Sequence, residues 1–192
     1  MPMPLPRLHP GPWSRRAVLG GGLAALAGGA LGARRVDARR IFSRGVTGGG
    51  LARLTGDEPT LVHFSLLATA LQMPEGQIAV LGRLRWVEAG SGLDLDGPEI
   101  TQCIGSGTHP NQREVRGWVG VNGAGRYPFV LTCVDVGIPG SGDDTIDLDV
   151  NTPAAQIDGQ SATGPEFTYT ARAVVVAGDL QVISIDLDTD DL

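Results

Sequence analysis

Val62, Phe64, Leu66, Ala68 and Ala70 are apolar, while His63, Ser65 and Thr69 fall between them. A period of two belongs to a strand with one buried face, because successive side chains point to opposite sides of a pleated backbone. Ile78, Val80, Gly82, Leu84 and Trp86 repeat the pattern after the Pro74-Glu75-Gly76 turn, with Arg83 and Arg85 on the other face. The two segments predict a hairpin. Ser91 to Gly97 reads as a connection or a brief strand, and Glu99 to Ile104 as the next strand. Val115, Gly117, Val119 and Val121 alternate again up to Asn122-Gly123, a pair suited to the positive φ angles of a hairpin turn. Arg126 to Val136 returns, and Ile146, Leu148 and Val150 alternate with Asp147 and Asp149.

Asn151 to Pro165 has no sustained apolar face and predicts a long surface loop. Phe167 to Ala177 and Leu180 to Leu187 predict a last hairpin turning at Gly178-Asp179. Residues 39–60, with Gly48-Gly49-Gly50, read as an exposed lead-in whose end adds to a sheet edge. Glycine and proline make up 42 of 192 residues, too many for a helical bundle and too aperiodic for collagen. The expected fold is all-β: a single antiparallel sandwich or flattened barrel of seven to nine strands over residues 61–192.

Charge divides the chain. All 15 basic residues are arginine, and eight of them precede Gly45 against one acid, Asp37. From Gly45 onward seven arginines face 20 acids, which excludes a protein that tracks nucleic-acid phosphates.

Ser14-Arg15-Arg16-Ala17-Val18-Leu19 places two arginines before a mildly apolar run that ends near Gly32. That run is shorter than the roughly 18 to 20 residues needed to span a bilayer, so no permanent membrane span is expected. Residues 1–38 resemble a twin-arginine signal peptide, departing from its motif at Val18 and Gly20. The resemblance implies the twin-arginine translocase as an export partner, cleavage after Ala38 (Ala33 being the alternative), and a secreted or envelope-associated product. In an oxidising compartment Cys103 and Cys133 can pair if their strands are neighbours; otherwise they are two separate buried thiols.

Gly117-Trp118-Val119-Gly120-Val121-Asn122-Gly123-Ala124-Gly125, the strand to Thr132, Asp135, the loop Gly137 to Asp143 and the strand at Ile146 together resemble the post-COAP family of small secreted β-domains. The resemblance implies a non-catalytic, surface-associated module and carries over no catalytic residue. Asp135 and Asp143 read most simply as organisers of a tight loop. The sharper reading has Asp135, Asp143 and Asp144 hold calcium with loop carbonyls.

Chemistry-bearing patterns are few. No Gly-x-Ser-x-Gly occurs, and neither His63 nor His109 has a second metal ligand at helical or strand spacing. Asp147 with Asp149, or Asp94 with Asp96, have a spacing that glycoside cleavage could use, although any water-facing strand looks the same. The acidic end at Asp186, Asp188, Asp190 and Asp191 lacks the glycine and glutamate of a calcium loop. No cofactor is expected. The function expected is a binding or accessory module for a polysaccharide or a surface protein, using exposed loops and the edge of Trp86 or Trp118. The alternative is a small cofactor-free enzyme in a barrel cavity, which needs Arg83, Arg85, Arg113 or Arg116 to face inward beside a carboxylate.

Overall fold

In the computed structural model, residues 41–187 are described, apart from 57–59, 74–75, 137–142 and 158. Arg15, Arg16, the cleavage point after Ala38 and the acidic end beyond Leu187 lie outside the described residues. Eight antiparallel strands run in sequence order: β1 (Ile41–Leu54), β2 (Leu61–Gln72), β3 (Ile78–Glu88), β4 (Asp94–Gly105), β5 (Gln112–Val121), β6 (Ala124–Val134), β7 (Thr145–Val150) and β8 (Tyr169–Leu187). Each pairs with the next, and β1 pairs with β8, closing a barrel.

Alternation works as the sequence implies. Val62, Phe64, Leu66, Ala68 and Ala70 point inward, opposite Leu84 and Trp86 of β3, and all are buried. Eight strands give an interior just wide enough for side chains to fill. Here Trp86, Phe129, Leu95, Leu131, Ile146 and Leu148 fill it. The Asn122-Gly123 turn carries φ angles of 51° and 76°, the doubly positive pair that joins β5 to β6 without splaying them.

Three expectations are corrected. Residues 41–54 are not a lead-in; they form β1, the strand that closes the barrel between β2 and β8. Its glycines hide the pattern and are needed for the approach. A Cβ on Gly48 would lie 2.6 Å from the Asp179 carbonyl, and one on Gly50 2.0 Å from the Ala177 carbonyl. Gly178-Asp179 is not a turn. β8 passes through it as one strand of 19 residues, taking up an extra residue at Val176 where the pairing jumps from Leu51–Ala177 to Ala52–Val175. Such a bulge adds twist and lets a long strand wrap two partners. Likewise, Ser91–Gly97 and Glu99–Ile104 are not separate pieces, since β4 runs from Asp94 to Gly105 with irregularities at Asp96/Glu99 and Ile100/Gln102.

The predicted loop, Asn151 to Pro165, contains a 3-10 turn at Pro153–Ala155. That turn sits against β6 and β7, and Ala155 is fully buried.

Candidate functional site

Polar side chains close the barrel where the ladder stops. β7 pairs with β8 only as far as Thr145–Val174, so among the described residues the second half of β8 has β1 on one side and no strand on the other. Asp144, itself buried, spans this gap: Oδ1 accepts the Val136 amide at 2.8 Å, and Oδ2 accepts the Leu180 amide at 3.3 Å. Asp135 Oδ2 accepts the Val182 amide at 2.9 Å. From β5, Arg113 reaches the same strand, donating to the Ile183 carbonyl at 3.0 Å and to the Ser184 hydroxyl. Its other amino group donates to the Pro110 and Gln112 carbonyls at 3.1 and 2.7 Å.

Two of the three acids read as loop organisers or calcium ligands thus spend their carboxylates on backbone amides. Asp135 and Asp144 bind amides of β8 and of the segment after β6, and Asp143 is exposed. No group of three or more metal-ligating side chains occurs among the described residues.

Cys103 and Cys133 are free and buried. They stand on β4 and β6 with β5 between them, Cys103 level with Val115 and Cys133 level with Arg113. With one strand between them in the same sheet, at about 4.8 Å per strand, the two Cα atoms stand roughly 10 Å apart, beyond disulfide reach. Burial pushes both thiols above their ordinary range, with nearby Arg113 partly offsetting the effect at Cys103.

Both candidate tryptophans are buried rather than exposed at an edge. Trp86 is inside the barrel, donating from Nε1 to the Tyr169 hydroxyl at 3.2 Å, and that hydroxyl donates to Glu88 at 3.0 Å. Desolvation raises the Tyr169 pKa most, and the Glu88 carboxylate adds to it. Trp118 is on the outer face, yet the Arg126 guanidinium covers it, 3.7 Å from the ring centroid. Glu99 fixes that guanidinium with two bonds of 3.0 Å. A hollow of about 310 Å³ beside them is lined by Asp96, Glu99 and Arg126.

A larger cleft, about 440 Å³, opens at the opposite end of β4, between Ile78 and Val80 of β3 and Thr101 to Gly105 of β4. Its walls are mainly aliphatic, with Phe42 and Arg44 of β1 at one side. Nothing in the alternation pattern marks it, because it arises from the early end of the β3–β4 ladder at Leu84–Gly97.

The arrangement needed for a cavity enzyme is not assembled. Arg83, Arg85 and Arg116 pair on the outer wall with Asp96, Asp94 and Glu114. Arg113 faces inward, but all its acceptors are neutral oxygens. Asp149 accepts the Thr170 hydroxyl at 2.8 Å across the outer face. His109 Nδ1 lies 2.9 Å from Thr108 Oγ1 and 3.5 Å from Ser106 Oγ in an exposed loop, with no carboxylate to orient the ring as a serine nucleophile's base requires. His63 is exposed on β2.

No family model matches the chain, and neither a curated protein nor a solved structure matches it. No helix among the described residues is long and apolar enough to cross a membrane.

Proposed function

We propose that this barrel is a non-catalytic docking module that grips a protein partner with the outer face of β8, β1, β2 and β3, working in or beyond the cell envelope after twin-arginine export. The observation that carries the reading is the composition of that face. The pairings line up Ile185, Ser43, Leu71 and Ala79 in one row across the four strands, and Ile183, Gly45, Thr69 and Leu81 in the next. Gln181, Thr47, Leu67 and Arg83 form a third row, in which Arg83 is the only charge. Leu67 and Leu81 are 52% and 62% exposed. A water-facing strand is expected to alternate with charged groups, as β7 does with Asp147 and Asp149; a face with one charge in three rows and exposed leucines and isoleucines on it marks an interaction surface.

A polysaccharide partner is less well supported, since no aromatic side chain among the described residues is exposed to act as a stacking platform. The packed interior and the outward ion pairs support binding over catalysis. The resemblance of residues 117–146 to post-COAP domains agrees with an accessory role. The test is the double variant Leu67→Glu/Leu81→Glu. Both positions are exposed, so it folds with the wild-type melting temperature, and it runs at the free-barrel mass in envelope extracts where the wild type runs larger. Equal behaviour of the two proteins overturns the reading.

A further inference from the structure

The cleft beside β3 is a separate site, on the seam of the barrel rather than on its outer face. Glu88 donates its amide to the Leu93 carbonyl at 2.9 Å, and the ladder continues to Leu84 opposite Gly97. Successive residues of a strand turn their amides to opposite sides. The even-numbered residues of β3 therefore face β4, and beyond Leu84 that edge has no strand partner among the described residues. The wall opens here, and Ala70, Val80 and the exposed Ile104 are among the residues that line a space of about 440 Å³, within the range of small-molecule sites. Ile78, 58% exposed, stands at its mouth.

One end of this space is cationic. Gly105 lines it without a side chain, and a Cβ there would lie 3.4 Å from Arg113 Nη1 and 3.8 Å from Arg44 Cδ. Arg113 is only 1% exposed, and its four partners are carbonyl and hydroxyl oxygens. Its Nε is buried with no hydrogen-bond partner. A buried guanidinium is normally matched by a carboxylate, because an uncompensated charge away from water costs several kcal/mol. Burial accordingly holds the Arg113 pKa below its ordinary range, and Arg44 adds to that effect.

We propose that the cleft binds an aliphatic carboxylate, its chain along Ile78, Val80 and Ile104 and its head over Gly105, where Arg44 lines the cleft and the buried Arg113 guanidinium adds its charge from behind Gly105. Aliphatic walls select the chain, and the guanidinium pair selects an anion over a neutral head.

Calorimetric titration with decanoate and with decanol tests this on the purified chain. The wild type binds decanoate about tenfold or more tighter than decanol. Gly105→Asp places a carboxylate over the same spot. It abolishes the preference for decanoate and raises the melting temperature, while the neutral Gly105→Asn keeps the preference. Val80→Trp fills the space and weakens both ligands, and far-ultraviolet circular dichroism verifies that each variant folds. Equal affinity for the two ligands, no binding of either, or decanoate binding untouched by Val80→Trp overturns the proposal. None of these results bears on the outer face, whose partner binding Leu67→Glu/Leu81→Glu tests independently.

Discussion

Asp135 holds the amide of Val182 at 2.9 Å, 47 residues further along the chain, and in doing so occupies the place a neighbouring strand would take on the free edge of β8. With Asp144 on Leu180 and Arg113 on Ile183, it turns an incomplete ladder into a closed wall. An unpaired edge invites pairing with another chain; carboxylate caps remove the amides from that role.

Removing a cap leaves a partly buried amide unsatisfied. Asp144→Ala, which strands two amides, is expected to cost about 2–3 kcal/mol, and Asp135→Ala about 1–2. Asp143→Ala, at an exposed position, stays within about 0.5 kcal/mol of wild type. Urea unfolding monitored by tryptophan fluorescence measures all three. Calcium, whose ligands these acids would be on the alternative reading, leaves the melting temperature of the wild type unchanged.

Alkali should loosen the barrel. Cys103 and Cys133 titrate near 9 as model thiols and are raised in the fold. Below pH 9 both states keep the proton, so stability is flat. Above it the unfolded chain releases protons that the native chain retains, and stability falls by up to about 1.4 kcal/mol per pH unit for each thiol until its raised native pKa is passed. Tyr169, also raised, adds to the fall above pH 10. Melting curves from pH 7 to 11 should show this decline, and Cys103→Ala/Cys133→Ala should lessen its slope. Both thiols in the native barrel should resist aromatic disulfide reagents at pH 8.

Much of this architecture was legible in advance, because β2, β5 and β7 alternate cleanly and their turns carry the residues that positive φ angles require. β1 was not. Gly48 and Gly50 have no side chains to show a period, and they are glycine because the Ala177 and Asp179 carbonyls pass too close for a Cβ. The same close approach made Gly178 look like a turn when it belongs to a bulged strand. Asp135 was recognisable as a capping residue, but the amide it caps lies on β8, a partner that only the closed topology supplies. The inward parity of Arg113 with Val115 and Val119 was visible; its neutral partners and the cleft beside it were not, since they depend on where the β3–β4 ladder ends.

Gly117 should tolerate no side chain. A Cβ would stand 2.2 Å from the Glu99 carbonyl and 2.9 Å from Phe129 Cε1, so Gly117→Ala must displace either backbone or a buried ring. Such overpacking costs about 1–3 kcal/mol. Thermal unfolding should show the loss, whereas Gly107→Ala, with open space around it, should show none.

Arg126 shields Trp118 by lying on its ring. Arg126→Ala should therefore shift tryptophan emission to longer wavelength and destabilise the fold by about 0.5–2 kcal/mol. Glu99→Gln, which weakens the hold on the guanidinium while leaving it in place, should give a smaller shift of the same sign.

The most direct test of the docking account is site-specific photo-cross-linking in the cell envelope, with the reactive side chain at Leu67 in one sample and at Asp147, on the charged outer face of β7, in another. The account predicts one discrete protein adduct from position 67 and none from position 147. No adduct at 67, or the same adduct from both positions, would contradict it.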